Sequence, residues 1–249
     1  MSPAKTASRH KTANAAAALT GAPEAGAENP IWLCKLNEPW GNMLSRGQKV
    51  LFKPKEFLPP TQNGQPGFYY LKYGRARLAW VGAHGGETTV CHIGEGTLLH
   101  DTSPQSCPQC RAYAITPLET WFFSSAECLT PAFAVAHPEL LLNLLDAQTR
   151  KNIYFMRRLA SIAGEDAFGN TCGLMLDLVR CHGSLEVPLG ITHEEIATLL
   201  CVRRSWLCKI LRRLRDEGVI ARCTKSRLEV LDLDKLTAYA NGGKAGGRG

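Results

Sequence analysis

The sequence predicts an α+β protein: an N-terminal roll of short strands, one long helix, and a C-terminal helix-turn-helix followed by a β-hairpin wing. Three observations predict this class. Residues 47–125 alternate short aromatic and β-branched runs with glycines, as hairpins do. Beyond Pro138 the spacing of apolar residues changes from two to about 3.6, the period of a helix. Residues 192–214 then contain a helix start, a tight break and a second apolar stripe.

The bulk composition favours a protein with two domains of ordinary size. The chain has 249 residues, of which 45% are hydrophobic and 20% charged. Its apolar runs all fall short of the roughly 20 residues that a membrane span needs. We predict a disordered tail over residues 1–29, a flexible tail over residues 241–249, and a cytoplasmic protein without a membrane partner. Ten cysteines in such a chain are not expected to form a disulfide framework, because cytosolic thiols are normally kept reduced.

The first folded segment, residues 30–137, is predicted to be a β-roll sensor domain. Glycines at hairpin intervals separate its apolar strands, and a disordered stretch would not carry so regular a series. The strands expected from composition are residues 68–71, 77–81, 88–93 and 120–123.

Residues 138–165 are predicted to form a dimerisation helix. Seven positions follow 4-3 spacing over three heptads, and five of them are apolar, as in a two-stranded coiled coil. They are Leu141, Leu145, Gln148, Asn152, Phe155, Leu159 and Ile162. The alternative is a helix that packs on its own domain. Asp166 is expected to cap a further helix that contains Leu174, Leu176 and Leu178.

Residues 166–240 are predicted to be a winged helix-turn-helix. Thr192 is followed three residues later by Glu195, which is the pattern of a capping box. Ile196, Ala197 and Leu200 form the inner face of a first short helix, and the chain breaks at residues 201–203. A second helix follows, with the inner face Leu207, Ile210, Leu211 and Leu214. The spacing from Ala197 through Cys201 and Leu207 to Ile210 is that of a helix-turn-helix core.

The outer face of the second helix is strongly basic, which favours double-stranded DNA as the partner. Residues 200–228 carry nine basic and two acidic side chains, a net charge of seven, whereas residues 29–149 are neutral. Arginine can donate to guanine O6 and N7, and lysine can hold a phosphate. The predicted DNA-binding residues are Arg203, Arg204, Ser205, Trp206, Lys209 and Arg212, with Arg213 on the same face and Lys225 and Arg227 at the wing tip. The alternative for the charge alone is a solvated helix face.

Residues 193–220, together with the glycine rhythm of residues 69–99 and the segment HPELLLNLL, resemble the catabolite-activator / fumarate-nitrate-reductase regulator (CRP/FNR) family over roughly residues 45–235. The resemblance implies a double-stranded β-helix, that is, a cyclic-nucleotide-binding-like jelly roll. It also implies a homodimer that reads a two-fold symmetric operator, with half-sites about one helical turn apart, and RNA polymerase as a candidate partner. Arg204, Ser205 and Lys209 fall on the family's base-reading positions, and Cys201 replaces the usual glycine of the turn.

The effector is not determined by the sequence. Cyclic-nucleotide-binding relatives have Gly-Glu and Arg-Ser where this chain has His100-Asp101 and Cys110-Arg111-Ala112, so cyclic AMP is not expected. Cys107 and Cys110 form a CPxC turn, which can hold a metal or an Fe–S cluster or close as a disulfide. A metal needs about two more ligands, from Cys34, Cys91, His92, His100 and Cys128. The alternative input is an organic effector in an apolar pocket near Phe155, and the effector or redox residues predicted are Cys107, Cys110, Arg111, His100 and Phe155.

Two other classes of function remain alternatives to a DNA-binding regulator. One is a metal- or redox-active cysteine enzyme, and the other is an effector-binding module without DNA contact. The sequence contains no nucleotide loop, nucleophile motif or clustered acid/base set, so an enzyme is not expected. The mechanism that we expect is a shift of the helix at residues 148–155 by the effector, which reorients the recognition helices through a hinge at residues 164–166.

Overall fold

The computed structural model describes residues 29–100, 107, 109–163 and 166–242, and the side chains of residues 161–163 are not described. The predicted tails lie outside these residues except for Asn29, Asn241 and Gly242, and so do Asp101, Pro108 and most of the predicted hinge. The chain divides into two compact units, residues 31–157 and residues from 158 onward.

The N-terminal unit is built from two facing sheets of short strands. A 3-10 helix, Glu38–Arg46, lies between the first two strands. The strands are β1 (Trp32–Leu33), β2 (Gln48–Phe52), β3 (Phe57–Leu58), β4 (Thr61–Gln62), β5 (Gln65–Tyr73), β6 (Ala76–Val81), β7 (Glu87–Ile93), β8 (Thr97–Leu99), β9 (Cys110–Ala114) and β10 (Leu118–Ser124). The first sheet has the order β1-β7-β6-β9-β3, and the second has the order β2-β10-β5-β4 with β8 paired to β5.

One core cluster of the N-terminal unit lies between these sheets, and a second, which includes Trp40 and Leu140, lies on the other face of β5. Strand side chains alternate between the two faces of a sheet, so every second residue points inward. Ala112 and Ala114 of β9 are buried in one cluster with Tyr69 and Leu71 of β5. Gly74 makes the turn between β5 and β6 possible, because its φ of +101° is left-handed and a Cβ there would collide with the carbonyl oxygen of Pro117.

Three helices follow the roll: α1 (Ser125–Cys128), α2 (Pro131–Ala136) and the long α3 (Pro138–Ala163). One face of α3 is buried against the roll through Leu140, Ala147 and Tyr154. The polar residues of this face bond to the roll: Lys151 Nζ donates to the Leu98 carbonyl at 3.2 Å, and Asn143 Nδ2 donates to the Leu36 carbonyl at 2.9 Å.

The exposed apolar stripe of α3 differs from the predicted seam. Phe155 is half-buried and packs against the core of the N-terminal unit, whereas Leu142 and Met156 are 66% and 69% exposed. The exposed stripe runs through Leu142, Leu145, Met156 and Leu159. Leu145 and Leu159 belong to the predicted seam, and Leu141 of that seam is also exposed, whereas the predicted positions 148 and 155 lie nearer to the roll. The reason is that Tyr154 and Lys151 turn their side of the helix inward, so the helix packs on its own domain and also presents apolar side chains outward.

The C-terminal unit combines four helices with a three-stranded sheet. Its elements after α3 are α4 (Ala167–His182), β11 (Glu186–Pro188), α5 (His193–Leu199), α6 (Arg204–Asp216), β12 (Ile220–Cys223), β13 (Arg227–Val230) and α7 (Leu233–Ala240). The sheet has the order β11-β13-β12. Asp166 caps α4 by accepting from the Phe168 amide at 3.0 Å, as predicted. The strand β11 was not predicted from the sequence.

The predicted fold class, an α+β chain with an N-terminal β-rich domain, a long helix and a C-terminal helix-turn-helix, is confirmed. Within the described residues, every helix is too short or too polar to cross a membrane.

Candidate nucleic-acid interface

The helix α5 begins with the predicted capping box. The Thr192 side chain accepts from the Glu195 amide at 3.2 Å, and the Glu195 carboxylate accepts from the Thr192 amide at 2.6 Å. These two bonds satisfy donors that a helix start otherwise leaves open. The box therefore sets where α5 begins. At the same end of α5, His193 Nε2 lies 2.9 Å from the Cys223 carbonyl of β12.

The turn between α5 and α6 has the backbone geometry that glycine usually provides. Cys201 has φ of +53° and is exposed. The Val202 amide donates to the Ala197 carbonyl at 2.9 Å, which closes the turn. A side chain in this left-handed region costs on the order of 1 kcal/mol relative to glycine. Cys201 thus makes the same turn at some cost in stability.

The two helices pack through the apolar residues that the spacing predicts. Ile196 and Ala197 of α5 are buried, and so are Leu207, Ile210, Leu211 and Leu214 of α6. The sequence interpretation is wrong at one position: Leu199 is buried, whereas Leu200 is the half-buried residue that ends α5. The small side chain of Ala197 lets the two helices approach closely. Because one side of α6 is buried against α5, the other side of α6 faces outward.

The exposed side of α6 is basic. It comprises the N-cap residue Arg203 and five residues of the helix, all exposed to solvent: Arg204, Ser205, Trp206, Lys209 and Arg212. Trp206 is 52% exposed, and Lys209 Nζ lies 5.8 Å from the centroid of its ring. We call these six residues the basic face of α6. Guanidinium and ammonium groups in this arrangement can donate to phosphate and to base edges in a DNA groove.

Arg213 is exposed as predicted, but its guanidinium is engaged in the packing of the unit. Its Nε donates to Glu217 Oε1 at 2.8 Å, and its guanidinium lies 4.2 Å from the Phe168 ring centroid. The hydroxyl of Tyr239 donates to the other oxygen of Glu217 at 2.6 Å. Partial burial acts to raise the pKa of the Glu217 carboxyl, but the hydrogen bonds from Arg213 and Tyr239 outweigh burial and lower it. The network joins α4, α6 and α7.

The wing is the hairpin of β12 and β13, with residues 224–226 at its tip. Lys225 is exposed there. Two other basic residues of the hairpin are paired: Arg222 Nε lies 2.8 Å from Glu229 Oε2, and Arg227 Nη1 lies 3.5 Å from Glu186 Oε2 of β11. Lys225 is therefore the better placed of the two predicted wing-tip residues to approach a phosphate.

Cys107 and Cys110, predicted to form one site, lie together. The Cys110 amide donates to the Cys107 carbonyl at 3.0 Å. Burial and a hydrogen bond with the Cys107 thiol raise the pKa of Cys110 to about 11. Since the thiolate is the species that binds metals and attacks disulfides, Cys110 is a protonated thiol at neutral pH in this conformation.

The remaining predicted effector residues belong to different elements: Arg111 follows Cys110 on β9, whereas His100 follows β8 and Phe155 lies on α3. Arg111 is exposed, and its neighbours Ala112 and Cys110 differ from it in burial because strand residues alternate. His100 Nε2 lies 3.1 Å from the Leu58 carbonyl, and Phe155 packs against the roll core. Among the described residues no three His, Cys, Asp or Glu side chains are grouped as metal ligands would be. A metal site at Cys107 and Cys110 stays a prediction.

The sequence interpretation missed the acidic partner of the basic face. Glu194 Oε2 lies 3.9 Å from Arg204 Nε, across the turn between α5 and α6. The capping-box pattern identifies Glu195, whereas no periodic pattern in the sequence indicates that the neighbouring Glu194 contacts Arg204.

Comparison with known proteins assigns the C-terminal unit. Residues 171–239 match the family model of the Crp-like helix-turn-helix domain. No curated protein sequence matches the chain.

Solved structures extend the likeness to most of the chain. The structure is similar to CprK complexed with OCPA, with a TM-score of 0.69 and 15% identity over 84% of this chain and 99% of that one. It is also similar to CLP, a c-di-GMP responsive global regulator of Xanthomonas campestris, with a TM-score of 0.63 and 13% identity over 77% and 97% of the two chains. For TTHA1359, a CRP/FNR family transcriptional regulator of Thermus thermophilus, the TM-score is 0.58 and the identity 22% over 78% and 98%. The chain thus contains a Crp-like helix-turn-helix domain and has the fold of the CRP/FNR transcription regulators.

Proposed function

We propose that this protein is a sequence-specific DNA-binding transcription regulator, and not an enzyme, which acts as a homodimer and receives an effector through its β-roll. The observation that carries the proposal is the basic face of α6. Its six residues are exposed, while the opposite side of the same helix is buried against α5. A helix held in this way can enter a major groove as a rigid unit.

Base reading falls to a few residues of the basic face. Arg204 begins α6, and a guanidinium at the start of a recognition helix can donate in bidentate fashion to guanine O6 and N7. Lys209 lies one and a half turns further along, and Arg212 follows toward the end of the helix. With Lys225 at the wing tip, these groups supply phosphate contacts on either side of a groove. Binding should therefore weaken steeply as salt is raised.

Dimerisation is supported by the exposed stripe of α3. Leu142, Leu145 and Met156 are each 60% or more exposed, with Thr149 and Asn152 at the intervening heptad positions. Apolar residues at 3-4 spacing on one face are what a two-helix seam requires. Two copies of the chain would then place two recognition helices on a two-fold symmetric operator, where RNA polymerase remains a predicted partner.

Effector sensing is supported by the side of α3 that packs on the roll. Phe155 and Tyr154 lie against the roll core, so a ligand that changed the packing there would act directly on the proposed dimer helix. CprK and CLP are described as an OCPA complex and as c-di-GMP responsive, respectively.

DNA binding is tested with a duplex selected by the purified protein from a randomised pool, followed by fluorescence anisotropy. We expect Arg204→Ala and Lys209→Ala each to weaken binding by about 30-fold or more, because each substitution removes a pair of about 1–3 kcal/mol from both half-sites of the dimer. Lys72→Ala is the control, because Lys72 is an exposed lysine of the β-roll. If all three variants bind as the parent does, the basic face of α6 is not the DNA contact and the proposal fails.

The homodimer is tested separately by sedimentation. Leu145→Glu places a charge in the middle of the exposed stripe and should shift the protein toward the monomer. Thr149→Ala, one turn away in the same stripe, is the matched control and should leave the dimer intact. A monomeric parent protein at micromolar concentration would contradict this part of the proposal.

A further inference from the structure

Glu194 and Arg204 form an ion pair between the two helices of the helix-turn-helix. Glu194 Oε2 lies 3.9 Å from Arg204 Nε, and the two side chains are 70% and 64% exposed. Glu194 belongs to the first turn of α5, and Arg204 is the first residue of α6. An acidic group therefore stands directly beside the residue to which we assign base reading.

The neighbouring acid has a different task. The Glu195 carboxylate accepts from both the amide and the hydroxyl of Thr192, at 2.6 and 2.8 Å, and is thereby held in the capping box. The Glu194 side chain is not part of that box. It reaches out of the first turn toward Arg204, on the side of the domain where the basic face of α6 lies.

A carboxylate in this place has two opposite effects on DNA binding. It repels the phosphates of any duplex that approaches the basic face, whatever its sequence. It also attracts the Nε side of the Arg204 guanidinium, 3.9 Å away, which leaves the two terminal guanidinium nitrogens for O6 and N7 of a guanine. The first effect weakens binding to all DNA, and the second favours the duplex that presents guanine at the right position.

We propose that Glu194 is a specificity-determining residue, which lowers non-specific DNA binding while it orients Arg204 for its base. This inference rests on the DNA-binding function proposed above. Glu194 acts through Arg204 and is a positioning residue, and its loss leaves a protein that binds more DNA but distinguishes less well between sequences. Specificity obtained by penalising the wrong partner is a general device of recognition surfaces.

The test compares Glu194→Gln with Asp216→Asn. The control removes the same charge from a similar pair, since Arg212 Nε and Asp216 Oδ2 are also 3.9 Å apart and both side chains are exposed. Anisotropy is measured on the duplex selected from the randomised pool and on a scrambled duplex of equal length and composition. Glu194→Gln should raise affinity for the scrambled duplex severalfold, because the dimer then loses two charges that repel phosphate, and should lower the ratio of specific to non-specific affinity. Asp216→Asn should raise both affinities by the same factor, so that the ratio stays constant.

A double variant shows whether the effect passes through Arg204. In the Arg204→Ala background, Glu194→Gln should no longer change the ratio, and thermal melting should show that all variants are folded. An unchanged ratio in the single Glu194→Gln variant, or an equal drop in Asp216→Asn, would overturn the inference while leaving DNA binding in place. If the parent protein does not prefer its selected duplex over the scrambled one, the proposed function itself is wrong.

Discussion

Leu207→Ala should loosen the recognition helix and thereby abolish DNA binding without touching the basic face. Leu207 is fully buried, whereas its neighbour Trp206 is 52% exposed. The substitution removes three buried carbon groups at about 0.8 kcal/mol each, which amounts to about 2.4 kcal/mol. The cavity left behind raises the cost to about 3–5 kcal/mol, because a packed site relaxes only in part.

Hydrogen exchange of the α6 amides in the full-length protein measures this cost locally. A loss of about 3 kcal/mol corresponds to about a hundredfold faster exchange of the amides that open with the helix. Trp206→Ala is the matched control and should leave exchange of α6 within a few-fold of the parent. The reasoning would be refuted if Leu207→Ala left the α6 amides as protected as in the parent, or if Trp206→Ala exposed them equally.

Three further predictions follow from the described contacts. Glu217→Gln should loosen α7, because the charged acceptor of Tyr239 is lost. Since the pKa of Glu217 is lowered in the folded state, the parent protein should lose this stabilisation as pH falls below the ordinary glutamate pKa of roughly 4.3, whereas the variant should show no such loss. Hydrogen exchange of the α7 amides, measured against pH, checks both expectations. The Cys110 thiol should be alkylated slowly at neutral pH and faster toward its pKa of about 11, and Cys107→Ser should change this pH profile. Rapid modification of Cys110 at pH 7, detected by peptide mapping, would contradict the raised pKa. Gly74→Ala should destabilise the roll by more than about 1 kcal/mol in chemical denaturation, because φ is +101° there, and a neutral effect would show that the turn is not under this constraint.

The helix-turn-helix could be predicted almost residue by residue, because its signals are local. A capping box needs two residues three positions apart, and the packing stripe of α6 follows from the helical period alone. The left-handed turn at Cys201 could be placed by its position between two helices, even though cysteine is not the residue that usually adopts it. The roll was predicted as a class for the same reason, from alternation and glycine spacing.

The long helix shows what local patterns leave open. Its sequence has apolar residues on two neighbouring faces, so the heptad of Leu141, Gln148 and Phe155 and the heptad of Leu142, Thr149 and Met156 are both compatible with the period. The packing of Tyr154 in the roll core and the hydrogen bond of Lys151 to Leu98 decide between them, and that bond joins residues 53 positions apart in the chain.

The sequence by itself therefore determined the order of the elements, the start of α5 and the basic face of α6, since each depends on neighbours within one or two helical turns. Only the tertiary structure decided which stripe of α3 faces outward, that Arg111 lies outside the roll core, that Arg213 packs on Phe168, and that Glu194 reaches Arg204. These four depend on where separate elements come to lie in space. Burial of the apolar faces sets that placement. Because the hydrophobic effect is not directional, the sequence of one segment does not specify which other segment it packs against.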